Sequence, residues 1–183
     1  MATKLENLPL EKAHFEQFVS VIPGLNTCCK KTINTMLDLG ILQVSTAFEQ
    51  AIAARGGHTV VSTDKADLSD GSDAKMVTVC TTDHGKRYGA PVTNIHGKTG
   101  NLRVQVYERK QKKFYYFVIP RRAYIHIPKT SNIEIPFELD GTPRRIPGRQ
   151  NVIQNWWRWQ VQTFDDMCKI TKPKMLPKQY FTK

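Results

Sequence analysis

At Gly56-Gly57 the spacing of apolar residues changes period. Before that point Phe15, Phe18, Val19 and Ile22 recur at the three-and-four spacing of a helix face. From Lys31 to Arg55, Ile33, Met36, Leu37, Ile41, Val44, Phe48 and Ile52 do the same. After it, His58 to Ser62, Lys75 to Thr81 (KMVTVCT), Leu102 to Glu108 (LRVQVYE) and Phe114 to Ile119 (FYYFVI) carry the β-branched and aromatic residues of strands. Helices followed by a sheet and a closing helix predict a mixed α/β (α+β) domain, a central mixed β-sheet flanked by helices.

The punctuation agrees with that reading. Pro9 opens the first helix and Pro23-Gly24 closes it; Gly40 is placed to split the second, and Gly56-Gly57 to cap it. Lys110 to Lys113 is a polar turn joining LRVQVYE and FYYFVI as a hairpin. Residues 128–149 carry four Pro and two Gly and read as loop, with Arg144, Arg145 and Arg149 exposed. Ile153, Trp157, Phe164 and Cys168 fit one last helix that also carries Trp156 and Trp159. One of these Trp belongs in the core, and another is free for a dimer interface or a base.

At 183 residues, with no repeat and no Ser/Gly linker, the chain reads as one domain, 1–183. Its parts are N-terminal helices over 9–40, a core over about 41–125 and a basic region over 126–183. No apolar run reaches the ~18 residues of a membrane helix. Acids occupy the N-terminal stretch where a signal peptide is apolar, which implies a cytoplasmic chain. Cys28, Cys29, Cys80 and Cys168 form neither a disulfide framework nor a CxxC pair and read as reduced thiols. Without a Walker loop, a GxGxxG or a GxSxG, no nucleotide cofactor is expected.

Charge is divided unevenly. Residues 1–97 hold 9 Lys or Arg and 10 Asp or Glu, a balance of −1; residues 98–183 hold 18 and 6, a balance of +12. A basic half of this kind suits a polyanion, because Lys and Arg that neutralise phosphates release condensed counterions. In the other half Asp64, Asp67, Asp70 and Asp73 fall within ten positions. On charge alone this is a solvated acidic loop. Beside a nucleic acid it makes sense where a divalent cation stands between carboxylate and phosphate.

Three-residue loop geometry at Ser69-Asp70-Gly71, with Gly71 left-handed, puts Asp67 opposite Asp73 on an antiparallel pair. Alternation places Lys75 on the same face as Asp73. A two-residue turn on Asp70-Gly71 throws Asp67 to the other face instead, and sequence does not choose between them. Opposed carboxylates destabilise a hairpin unless a cation bridges them. Mg²⁺ takes one or two carboxylates, waters and phosphate oxygens.

The sequence here resembles the PD-(D/E)XK nuclease superfamily, which includes most type II restriction endonucleases. Ala66-Asp67 stands for the PD, and Asp73-Ala74-Lys75 for the (D/E)XK. Ala66 replaces the Pro, and Asp73 replaces the more frequent Glu, which moves the metal position. Glu49, in Thr46-Ala-Phe-Glu49-Gln, matches the acid often carried by the preceding helix. The likeness covers about residues 41–125 and implies a restriction-endonuclease-like fold. It further implies Mg²⁺-dependent hydrolysis of double-stranded DNA to a 5′-phosphate by a homodimer. Asp67 and Asp73 would be metal ligands, Lys75 would position or activate water, and Glu49 would support the site.

Other readings are weaker. Asp83-His84, Asn94 and His96 resemble a His-Asn-His nuclease, but Gly85, Gly89, Pro91, Gly97 and Gly100 predict loop there. Lys86, Arg87 and Lys98 on that loop, with Arg121, Arg122, Arg144, Arg145 and Arg149, are the expected DNA contacts. Singly each is a solvated rim residue; as a set in the basic half they favour DNA. His14, His58 and His126 read as structural. A recombination, repair or homing nuclease would share these catalytic residues, and a non-catalytic nucleic-acid-binding protein is the alternative of another class.

Overall fold

The computed structural model describes residues 12–82, 85, 87–145 and 155–177. Helical residues 12–16 and a 3-10 turn at Val19–Val21 lead to α1 (Lys30–Asp38) and α2 (Val44–Gly56). Then come β1 (Asp73–Thr78), β2 (Cys80–Thr82), β3 (Arg87–Val92), β4 (Leu102–Glu108) and β5 (Lys113–Ile119). The short helix α3 (Arg121–Tyr124), β6 (Ile133–Phe137), a 3-10 turn at Trp156–Trp159, β7 (Gln160–Val161) and α4 (Phe164–Lys169) follow. Among the described residues no helix is long and apolar enough to cross a membrane.

The strands form two sheets. A mixed sheet runs β1-β4-β5-β7, with β1 parallel to β4 and the other pairs antiparallel; an antiparallel sheet runs β2-β3-β6. Alternation along β4 and β5 sorts side chains to the two faces of the mixed sheet. Leu102, Val104, Val106, Phe117 and Ile119 pack with Ala90, Val92, Ile133, Ile135 and Trp157, towards the antiparallel sheet. Val118 packs the other way, with Phe18, Phe48, Ile52 and Met167 of the helical layer. The mixed sheet is thus the middle layer, and β1 is its open edge.

Several elements agree with the sequence reading. Gly40 (φ 69°) lies between α1 and α2, and Gly57 (φ 74°) caps α2 by donating its N–H to the Ala53 carbonyl. The β4–β5 hairpin pairs Leu102 with Ile119 and Glu108 with Lys113.

Others differ, each for a local reason. Residues 58–62 make a single bridge, Val60 to Leu68, because Ser62 (φ 45°) breaks the extended path and the N–H of Val61 turns to the Asp67 carbonyl. The strand expected over 75–81 starts at Asp73, stops at Thr78 and resumes as β2 in the other sheet. Part of the expected loop over 85–100 is β3: Pro91 pairs with Glu134 beyond the end of β2, and the Glu134 side chain folds over Gly89. The loop expected over 128–149 contains β6, whose alternation of Ile133, Ile135 and Phe137 inward was masked by Pro136. The predicted last helix is a 3-10 turn, a strand and a helix beginning at Phe164. All three Trp are buried, so none is left for a base or a dimer contact. Pro9 lies outside the described residues.

The strand-to-strand connections also hold two loops against each other. Gly100 runs so close to the turn at Gly71 and Ser72 that a Cβ on it would meet the Gly71 carbonyl and come within 2.9 Å of the Ser72 nitrogen. These are backbone atoms, which cannot swing aside. Gly100→Ala is therefore expected to lower stability by about 1–3 kcal/mol, as overpacking does, read from urea unfolding against the wild type.

Candidate active site

Asp73 opens β1, where its N–H donates to the Asn101 carbonyl at 2.9 Å, and its side chain is 1% exposed. Lys75 Nζ lies 2.7 Å from its Oδ2, and Lys98 Nζ lies 2.5 Å from its Oδ1. Neither oxygen receives a directed hydrogen bond, so two ammonium charges hold this buried carboxylate. Asp73 and Lys75 share one face of β1, as alternation predicts, while Ala74 and Met76 pack towards the helical layer.

Asp67 reaches the same place by another route. It is not across a hairpin from Asp73, since the partner of β1 is β4, in parallel, with Asp73 beside Leu102. Asp67 sits instead in the irregular segment before β1, and its Oδ2 accepts the Ala74 N–H at 2.8 Å. It thereby covers a backbone donor on the open edge of the sheet. Burial, and then the charge of Asp73, push the Asp67 carboxyl above its usual range, against the pull of the Ala74 N–H and Lys98.

Glu49 comes from α2, half-buried, with the Ser62 hydroxyl donating to it at 3.5 Å. Burial raises its carboxyl too, followed by the charge of Asp67, while Lys75 works the other way. Helix, loop and strand thus bring Glu49, Asp67, Asp73 and Lys75 within electrostatic reach of one another. Among the described residues no three His, Cys, Asp or Glu side chains make a ready metal cage.

The turn that carries Asp67 into place is anchored from below. Gly71 is left-handed (φ 82°) and donates to the Leu68 carbonyl at 2.9 Å, and Asp67 N–H donates to the Ser72 carbonyl at 3.0 Å. Arg103, fully buried on β4, pairs with Asp70 at 2.7 Å and donates to Ser72 Oγ at 3.0 Å. It also donates to the carbonyls of Met167 and Ile170, so the turn is tied to the end of α4. Burial alone would raise Asp70, but the Ser72 hydroxyl and Arg103 outweigh it and hold its carboxyl below the ordinary range.

The expected DNA contacts are scattered. Lys98 is turned inward onto Asp73 with a side chain 11% exposed, and is a member of the site rather than a free loop lysine. Nothing in Gly97-Lys98-Thr99-Gly100 marks it at a motif spacing. Arg121 is exposed, with Nε directed at the Lys98 carbonyl at 3.4 Å. Arg122 and Arg145 lie over the rings of Trp159 and Trp157. Arg144 faces Glu138 at 3.8 Å, and Arg87 faces Glu134 at 3.9 Å. Lys86 and Arg149 lie outside the described residues, as does His84. His96 contacts the Ser131 carbonyl.

Comparison with family models, curated proteins and solved structures gives no match.

A carboxyl raised in the folded state favours folding below its unfolded pKa, and that contribution is lost as pH rises through the folded value. Glu49 and Asp67 are both of this kind, so at neutral pH the folded protein carries the cost of burying them charged, together with the repulsion of neighbouring carboxylates. Asp67→Asn keeps an acceptor for the Ala74 N–H and removes one charge. It is expected to raise unfolding stability at pH 7 by less than about 1 kcal/mol, because a half-exposed group is screened, and the unfolding temperature with it. The gain should vanish as pH falls towards ~3.9, the unfolded Asp value. Thermal unfolding of both proteins between pH 3 and 8 checks this.

Proposed function

We propose that this protein is a Mg²⁺-dependent endonuclease that hydrolyses phosphodiester bonds in double-stranded DNA, of the type II restriction kind and acting as a homodimer. One observation carries the reading. Three of the residues matching the nuclease motif, Glu49, Asp67 and Lys75, come from three separate segments within electrostatic reach of the fourth, the buried Asp73, although the strand pairing expected to bring them there is absent.

Mg²⁺ fits the residues present. Both Asp73 oxygens lack a directed hydrogen bond, and Asp67 and Asp73 repel each other. Three carboxylates face two ammonium groups, Lys75 and Lys98, leaving one negative charge uncompensated. A divalent ion turns that excess to a single positive charge, matching one phosphodiester. Two carboxylates without a full cage also suit an ion that keeps waters and binds substrate oxygens. Asp67 and Asp73 would hold it, and it would supply an acidified water and charge neutralisation at phosphorus.

The chain's own groups have distinct parts in hydrolysis. Water oxygen bonds to phosphorus, the bond to the 3′ oxygen breaks, and the products carry a 5′-phosphate and a 3′-hydroxyl. Lys75 is paired with Asp73. It would orient the water and stabilise the charge that grows on the phosphoryl oxygens. Glu49, with its raised carboxyl, would hold the water network on the α2 side.

Lys75→Ala should lower the rate of Mg²⁺-dependent cleavage of long duplex DNA by at least about 100-fold, the scale of losing one transition-state donor. DNA binding without Mg²⁺ should change little. Discrete fragments from the wild type would support a site-specific nuclease, and a smear would point to a repair or nonspecific one. No cleavage by the wild type, with duplex still bound, would replace this reading by a non-catalytic binding protein.

A further inference from the structure

Beside the carboxylates, and on the other side of Lys98, lies a cavity of about 90 Å³. His96, Gly97 and Lys98 form one wall; Arg121 and Tyr124 of α3 form the other. Among the described residues no acidic side chain lines it. Its volume is several times what one water requires, enough for a tetrahedral oxyanion and too little for a nucleobase. Tyr124 is fixed, since its hydroxyl donates to the Gly100 carbonyl at 2.6 Å. Arg121 Nε is directed at the Lys98 carbonyl at 3.4 Å, which ties the two walls together.

We propose that this cavity seats a phosphate group of the DNA, held by Lys98 and Arg121, next to the one that is cut. The inference rests on the nuclease reading for its ligand but not for its geometry. Lys98 belongs to both places: it lines the cavity, and its ammonium reaches Asp73. A phosphate in the cavity would offer that ammonium a second anion. Arg121 is exposed and supplies the forked donor that recognises phosphate oxygens. The electrostatics agree, because Arg121 and Lys98 line the cavity and, among the described residues, no acid does, while the carboxylate cluster beside it would repel an unescorted phosphate.

The test measures binding without divalent metal, so cleavage plays no part in it. Anisotropy titrations use one short duplex made with 5′-hydroxyl ends and again with 5′-phosphate ends, at several salt concentrations. The proteins are wild type, Lys98→Met, Arg121→Gln and, as a remote control, Lys112→Gln. Lys112 lies in the β4–β5 turn, at the far end of β4 from Leu102. Lys98→Met and Arg121→Gln should each weaken binding about five- to tenfold and lower the salt slope by about 0.9, the loss of one phosphate contact. Lys112→Gln should behave as wild type.

If the loss is the same for both duplexes, the cavity takes an internal phosphodiester. A loss confined to the 5′-phosphorylated duplex identifies a terminal phosphate instead, and still a phosphate seat. Unchanged affinity and slope in both variants overturns the proposal, as does a wild type that binds neither duplex. Should Lys98→Met not fold, Arg121→Gln, altered at an exposed position, decides alone. A protein that shows these losses yet cuts nothing with Mg²⁺ keeps the cavity and loses the nuclease reading. One that cuts while both variants bind like wild type does the reverse.

Discussion

A carboxylate with almost no exposed surface, gripped by two ammonium groups at the open edge of a sheet, sets the terms for the rest of this molecule. Burying Asp73 alone would be prohibitive, and Lys75 and Lys98 compensate from opposite sides. Lys75 comes from the same strand, so its position follows from alternation. Lys98 comes from the segment after β3, and reaches Asp73 because that segment runs against the Gly71–Ser72 turn through Gly100. Arg103 secures the turn from the opposite face by binding Asp70, Ser72 and the end of α4. The site therefore depends on an ionic pair above the sheet and a buried guanidinium below it. Removing Arg103 would leave Asp70 to Ser72 and His58 and untie the loop that carries Asp67 from α4.

How much of this was legible in sequence depended on whether a residue's role is set locally. The helices α1 and α2, the glycines that end them and the β4–β5 hairpin follow from periodicity and turn chemistry, and these were readable; the first and last expected helices are broken by 3-10 turns. Asp73 and Lys75 were readable because a strand's alternation fixes their common face. Asp67 was placed correctly in effect and wrongly in means: the sequence suggested a hairpin, whereas an irregular loop and the Ala74 N–H bring it to Asp73. β3 and β6 were hidden by Gly89, Pro91 and Pro136, whose local preferences are overridden by packing between the two sheets. Lys98, Asp70 and Arg103 act through contacts across 25 to 33 positions of chain, and no local pattern marks such pairs.

The basic half of the chain is less available to a polyanion than its net charge suggests. Arg103 is wholly internal, Arg122 and Arg145 cover tryptophan rings, and Arg144 faces an acid. Guanidinium groups over aromatic faces gain from the ring quadrupole and shield the ring from water. Part of the +12 is thus structural charge spent on covering the Trp156–Trp159 turn, which packs between the sheets. Charge counting identifies a class of partner; which cations meet it depends on what else the fold asks of them.

The two cations on Asp73 also connect substrate to metal on the nuclease reading. There a divalent ion would compete with Lys98 for Asp73, so each would weaken the other's hold. Lys98 and a phosphate in the neighbouring cavity attract, so a bound phosphate draws Lys98 away from that oxygen. Phosphate would then favour metal and metal would favour phosphate, by the same factor in both directions, since coupling between two binding equilibria is reciprocal. On that reading a lysine held between two anion sites would couple metal loading to DNA binding, through the charge arrangement and without any change of fold.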